Sequence, residues 1–183
     1  MTAREKTMRK YAMLAVPAVL AGSMLAGSLL IGSVAQANEG DVLYVRGAMQ
    51  QEVNAATNAL WDIGNNAMSD TGGLDPAQMD DAKWARLADA AAALKLEAEK
   101  MATAGTIKAA APGQEKVEEP GAYSMEDVQS YIDADPQSFR DLATGLAKHA
   151  QSISDAAKSR DAEAAGLLVG ELDQVCEACH AKY

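Results

Sequence analysis

From residue 41 onward, apolar residues recur every three or four positions, and this spacing predicts four helices with few strand signals. Over 41–65 an inward row runs Val42, Arg46, Met49, Val53, Ala56, Leu60 and Ile63. Gly64, Asn65 and Asn66 are expected to end that helix, and Ser69 to Asp75 read as a polar turn. A second helix is expected from Asp75-Pro76, a capping residue followed by proline at the first helical position. Its row is Trp84, Leu87, Ala91, Leu94, Ala98 and Met101, and Gly105 stops it. Residues 105–123 form a long connection containing Pro112-Gly113 and Pro120-Gly121. Ser124 to Asp133 reads as a short helix, because Ser124 suits a cap and Glu126 and Asp127 suit a first turn.

Asp135-Pro136 opens the third long helix, with Phe139, Leu142, Leu146, Ala150, Ile153 and Ala157 inward. A tight polar turn at Lys158 to Asp161 leads into the last helix. That helix puts Leu168, Leu172, Val175 and Cys179 on one face, with Cys176 and His180 alongside. Four amphipathic helices with mostly short connections predict an all-α chain, an antiparallel four-helix bundle. The long second connection allows a slide or crossover.

The start of the chain has a different pattern. Arg4, Lys6, Arg9 and Lys10 precede an uncharged apolar stretch from Tyr11 to Val34, which closes on Ala35-Gln36-Ala37. A basic start, an apolar middle and a small-residue end are features of a secretory signal peptide. The stretch exceeds the ~7–15 residues usual for such a region and is long enough to span a bilayer, so a retained membrane anchor is the rival reading. Gly22, Gly27 and Gly32 weaken a spanning helix. The expectation is therefore a signal peptide at 1–37, a folded domain at 38–183 and export to a periplasm, with membrane attachment only if the segment is uncleaved.

Charge narrows the partners. The full chain has a formal net charge of -10, and residues 38–183 hold 12 basic and 25 acidic side chains, a net of −13. Such a surface repels nucleic acid and anionic lipid and suits basic protein partners or small ligands. Residues 38–183 are enough for one sizeable core. With one Phe and two Trp in the whole chain, that core rests on Ala and Leu and lacks bulk, which a large buried cofactor would supply.

Both cysteines fall in Cys176-Glu177-Ala178-Cys179-His180. Export favours disulfides, so placing both thiols in one local pair points to another use. Cys-x-x-Cys-His is the attachment signal for c-type haem. On a helix, residues three apart project from one face, so both thiols reach the two vinyl groups of one porphyrin. His180 follows on the same side, and a proximal His is a standard haem ligand. A thioredoxin-like dithiol would belong to a βαβ context. A zinc site needs about four ligands, and only Cys176, Cys179, His180 and His149 are available.

This motif near the end of the sequence, followed by Tyr183, with four helices and an Arg in the first, resembles the class II cytochromes c, the cytochrome c′ family. The resemblance covers most of 38–183. It implies one haem c bound covalently by Cys176 and Cys179, with His180 as the fifth iron ligand. It also implies that Arg46 faces a haem propionate, a charge-assisted pairing, and that homodimers form through the first two helices.

In that family a first-helix residue covers the other iron face. An apolar residue there leaves the iron five-coordinate, high-spin and open to small gases such as nitric oxide or carbon monoxide. A Met makes it six-coordinate and low-spin, and Met with His raises the potential and suits electron transfer. Met49 lies on the inward row, one turn from Arg46, and its thioether is a soft iron ligand. Packing alone is the rival account of Met49, and an offset of one residue would bring Gln50 instead. Met68, Met79, Met101 and Met125 are weaker candidates. His149 reads as a solvated or core histidine, and Trp61 and Trp84 as packing or porphyrin-edge contacts.

The expected function is therefore a periplasmic monohaem electron carrier. It is not an enzyme: its iron cycles between ferric and ferrous states and it passes electrons to redox partner proteins. The alternative is a gas-binding protein with an open sixth site. A haem subunit of a membrane complex, anchored by 11–34, is a third possibility. N-terminal sequencing of the exported protein should give Asn38 as the first residue; an intact Met1 would favour the anchored reading.

Overall fold

The computed structural model describes residues 42–117 and 123–183. The expected signal segment at 1–37, residues 38–41 and Pro120-Gly121 lie outside the described residues. The chain opens with β1 (Val42–Tyr44), α1 (Val45–Ala48), a π turn at Met49–Val53 and α2 (Asn54–Ala67). A short 3-10 turn at Pro76–Gln78 precedes α3 (Asp81–Thr103), β2 (Thr106–Lys108) and α4 (Met125–Ala134). Two long helices follow, α5 (Pro136–Ser159) and α6 (Ala162–His180). The described residues are mostly helical, with only one small two-stranded sheet.

Side-chain caps set most of the starts. A helix leaves its first amide donors without partners, and an Asp or Ser oxygen accepts one of them. Asp80 accepts from the Lys83 amide at 2.8 Å, and Ser124 from that of Asp127 at 3.1 Å. Asp135 accepts from Ser138 at 3.0 Å and Asp161 from Ala164 at 3.0 Å. The expected start of the second helix at Asp75-Pro76 is corrected. Asp75 caps only the 3-10 turn, through the Ala77 amide at 2.9 Å. Met79 is extended and breaks that turn, and Asp80 caps the long helix five residues later.

The first helix needs two corrections at its ends. Residues 42–44 are a strand, paired parallel with β2 in the register Val42↔Thr106, Leu43↔Ile107, Tyr44↔Lys108. A two-stranded ribbon is marginal alone. Here Gln129 of α4 supports it, accepting from the Ala109 amide at 2.8 Å and donating to the Ile107 carbonyl at 3.4 Å. At the other end, helix continues through Gly64 to Ala67. Gly64 is buried, and a Cβ there would fall 2.8 Å from Cγ1 of Val169 in α6. This glycine serves a close helix–helix approach, not a helix stop.

The inward row also changes. In the π turn the Asn54 amide reaches back to the Met49 carbonyl, so the turn holds one residue more than an α turn. One residue rotates the preceding segment by about 100°. Val45 and Ala48 are consequently buried, Val42 is exposed and Arg46 is only half-buried. Downstream, Val53, Ala56, Leu60 and Ile63 are buried as expected.

α3 packs most extensively on α5; α5 packs on α6, α2 on α3 and, more lightly, α2 on α6. Leu60, Leu87, Leu94, Phe139, Ile153 and Leu172 are fully buried between them. Each such side chain contributes about 1.5–3 kcal/mol of burial. The buried hydroxyls of Thr57 and Ser154 donate to the carbonyls of Val53 (2.8 Å) and Ala88 (3.4 Å), and buried Glu97 accepts from Lys100 at 2.7 Å. Among the described residues no helix is long and apolar enough to cross a membrane.

The start of α6 lies against the 69–75 turn, where the Leu74 amide donates to the Ala162 carbonyl at 2.8 Å. A Cβ on Gly166 would lie 2.5 Å from Leu74 N and from the Gly73 carbonyl carbon. Gly166→Ala should therefore destabilise by about 2 kcal/mol or more, despite alanine's better helix propensity. At Gly170 a Cβ meets nothing within 4 Å, so Gly170→Ala should stabilise by roughly 0.5–1 kcal/mol. Urea midpoints of the two variants moving in opposite directions would check the pair.

Candidate cofactor and metal site

Cys176, Cys179 and His180 occupy the last turns of α6. The two cysteines are free thiols, half-buried on one helix face, and His180 is more exposed. They line a cleft enclosing about 440 Å³ of empty space, part of it continuous with solvent. Phe139, Leu142 and Leu146 of α5 form one wall. Met49 and Val53 of the π turn, Met101 of α3, Ala143 of α5 and Val175 of α6 contribute the rest of the apolar lining.

The structure thus brings Met49 to the same cleft as the Cys-x-x-Cys-His motif. Gln50, its rival from the sequence, is exposed and does not line the cleft. Met101, ranked below Met49 in the sequence, does line it and is fully buried. Its place on the inward row of the second helix was the available signal. Met68, Met79 and Met125 are not among the lining residues, and neither are Trp61 and Trp84. His149 is half-buried and faces a separate groove between α5 and α6, with Nε2 2.8 Å from the Leu168 carbonyl.

Arg46 is directed elsewhere. Its guanidinium donates to the Gln114 carbonyl at 2.9 Å and also to the Lys116 carbonyl. Its backbone amide donates to the Ala109 carbonyl at 2.9 Å. The rotation imposed by the π turn turns Arg46 aside, and it ties residues 109–116 to α1. Arg46 is not among the residues that line the cleft.

Electrostatics separate the chemistries open to the two thiols. Burial pushes the Cys176 thiol up from its ordinary value, and the nearby Asp173 carboxylate adds to the effect. Burial likewise raises the Cys179 thiol, with Cys176 contributing. The negative end of the α6 dipole acts in the same direction. Redox dithiols need the reverse, a thiolate stabilised at a helix N-terminus or by a cation. A zinc site needs converging ligands. Among the described residues no group of three or more His, Cys, Asp or Glu is placed to hold a metal ion. Two thiols kept protonated by burial, an imidazole beside them and the Met49 thioether thus line one largely apolar cleft.

A folded-state pKa above the unfolded value means that the native chain holds its protons more tightly. The free-thiol protein should therefore lose stability as pH rises above ~8.5 toward the raised thiol values, and alkylation of Cys176 and Cys179 should stay slow until that range. A thiol reaction profile with an inflection below pH 7 would reverse this assignment. Comparison with protein-family models, with curated proteins and with solved structures found no match to this chain.

Proposed function

We propose that this chain is a class II-type cytochrome c, an antiparallel four-helix bundle that carries one haem c and passes electrons between protein partners outside the cytoplasm. The observation that carries the reading is the shared cleft, lined by Cys176, Cys179 and His180 on one side and Met49 on another. Its lining is almost wholly apolar, which suits a porphyrin. Support for the bundle comes from α6 meeting α2 midway along its length, where Val169 lies against Gly64, and from the motif near its end sharing the cleft with Met49, which precedes α2.

On this reading Cys176 and Cys179 hold the group through thioether bonds, so it stays attached when the bundle breathes. His180 and Met49 would be the residues that hold its iron. Bound haem supplies an iron that takes up and releases one electron. The protein's contribution is to hold both ligands in place, so that little rearranges at each transfer. Val53, Phe139, Leu142 and Leu146 exclude water, and exclusion of water combined with a Met–His pair raises the potential. Arg46 spends Nη1 on the Gln114 and Lys116 carbonyls, which leaves Nη2 and Nε as the donors a propionate would meet. The net charge of −13 on 38–183 favours partners with basic docking faces, and the N-terminal pattern at 1–37 supports export to a periplasm.

The absorption spectrum of the holoprotein, oxidised and reduced, with and without carbon monoxide, tests the proposal. A low-spin spectrum with a weak Met-to-iron charge-transfer band, unmoved by carbon monoxide, is expected, and Met49→Ala should abolish that band. A high-spin spectrum that shifts readily with carbon monoxide would sink the Met49 ligand and make gas binding the leading reading.

A further inference from the structure

Past His180 the chain makes one more turn and attaches to a different helix. Lys182 Nζ donates to Asp135 Oδ2 at 3.1 Å and to Ser138 Oγ at 2.8 Å. The Tyr183 hydroxyl donates to the Asp135 carbonyl at 3.3 Å. The Tyr183 ring meets Phe139 edge-on, with centroids 5.4 Å apart at 81°, and the Lys182 ammonium lies 5.3 Å from the Tyr183 centroid. Every partner belongs to the cap or the first turn of α5, where Asp135 is the N-cap and Phe139 lines the cleft.

We propose that Lys182 and Tyr183 form a latch onto the start of α5 that positions the last turn of α6, and with it His180, over the cleft. The inference rests on the haem reading for its consequence at the iron, while the latch itself is a property of the free chain. The physical need is plain. Helix ends fray, and the last carbonyls have no helical partners. Many helices end on a left-handed glycine that meets this need, but α6 ends on Ala181 in ordinary right-handed conformation. The amides of Ala181, Lys182 and Tyr183 instead turn back onto the Glu177 and Cys179 carbonyls at 2.8–3.1 Å. That wrap lasts only if the residues making it are held, and the contacts with Asp135, Ser138 and Phe139 hold them.

The latch is a positioning device, not a major source of global stability. Lys182 and Asp135 are both substantially exposed, and isolated exposed ion pairs contribute little. What the contacts supply is direction: they fix the peptide plane next to His180 relative to the wall that Phe139 forms. Without them, Cys176 and Cys179 still tether the group, but the imidazole gains freedom to tilt and rotate.

The test uses the full-length holoprotein and a double variant, Lys182→Ala with Tyr183→Ala, beside a conservative Lys182→Arg control. Two readouts are expected to change in the double variant and not in the control. The paramagnetically shifted haem-methyl resonances, which report the plane of the axial imidazole, should be redistributed. The amides of 181–183 should exchange at least tenfold faster, while amides in the middle of α3 and the urea midpoint stay nearly unchanged. An unaltered methyl pattern with unaltered exchange would overturn the latch. Acceleration spread equally over α3 and α6 would also overturn it, by making the role one of general stability. A purified wild-type chain without haem would defeat the haem reading, and the exchange comparison would still test the latch.

Discussion

The candidate site depends on how closely α6 approaches α2. The Cys-x-x-Cys-His motif is on α6, and Met49 belongs to the helical stretch that continues into α2. α6 packs mainly on α5 and meets α2 along a narrow seam. Two missing side chains set where α6 sits, one against α2 and one against the 69–75 turn. Gly64 leaves room for Val169, where any Cβ would crowd its Cγ1 at 2.8 Å, and Gly166 lets α6 rest on the Gly73–Leu74 backbone. Larger side chains at either position would push α6 outward. Interiors are close-packed, so such a shift has nowhere to dissipate.

The π turn refines what the seam allows. With one extra residue between Ala48 and Asn54, the segment before the turn is rotated, and Arg46 meets the 114–116 backbone. Such insertions in helices are frequent at functional sites. Met49 lines the cleft and Gln50 is exposed, as the inward row by itself would place them. The ribbon of β1 and β2 then anchors the upstream end of the rotated helix.

Much of the fold was legible because periodicity and caps are local. The inward rows of α3 and α5 and the caps Ser124 and Asp135 each follow from a few neighbouring residues. The misread features depend on partners far along the chain. Val42 to Tyr44 become a strand only because 106–108 run alongside, and three residues are too few to show alternation. Gly64 carries the local signature of a helix end, and only Val169 explains why the helix passes through it. Arg46 shared the 3.6-residue face with Val53 until the π turn broke that phase, which no composition pattern announces. The motif itself was plain in sequence, and so was the place of Met49 on the inward row. Met101 required knowledge of which end of α3 reaches the cleft.

The cleft's chemistry bears on the choice between electron transfer and gas binding. The lining contributed by the π turn, α3 and α5 is Met49, Val53, Met101, Phe139, Leu142, Ala143 and Leu146. None of these side chains donates a hydrogen bond. Distal polarity and donors decide whether a haem binds and activates oxygen or only passes electrons. An apolar wall is compatible with small-gas binding as well as with electron transfer, and on the proposed reading it is the Met49 thioether, a soft partner for iron, that favours the second. Met101, fully buried, lines the same cleft as Met49. On the proposed reading, the packed apolar lining would limit movement of Met49 much as the latch limits that of His180. A centre held from both sides changes its charge with little change in shape, and that is the physical requirement for rapid one-electron exchange.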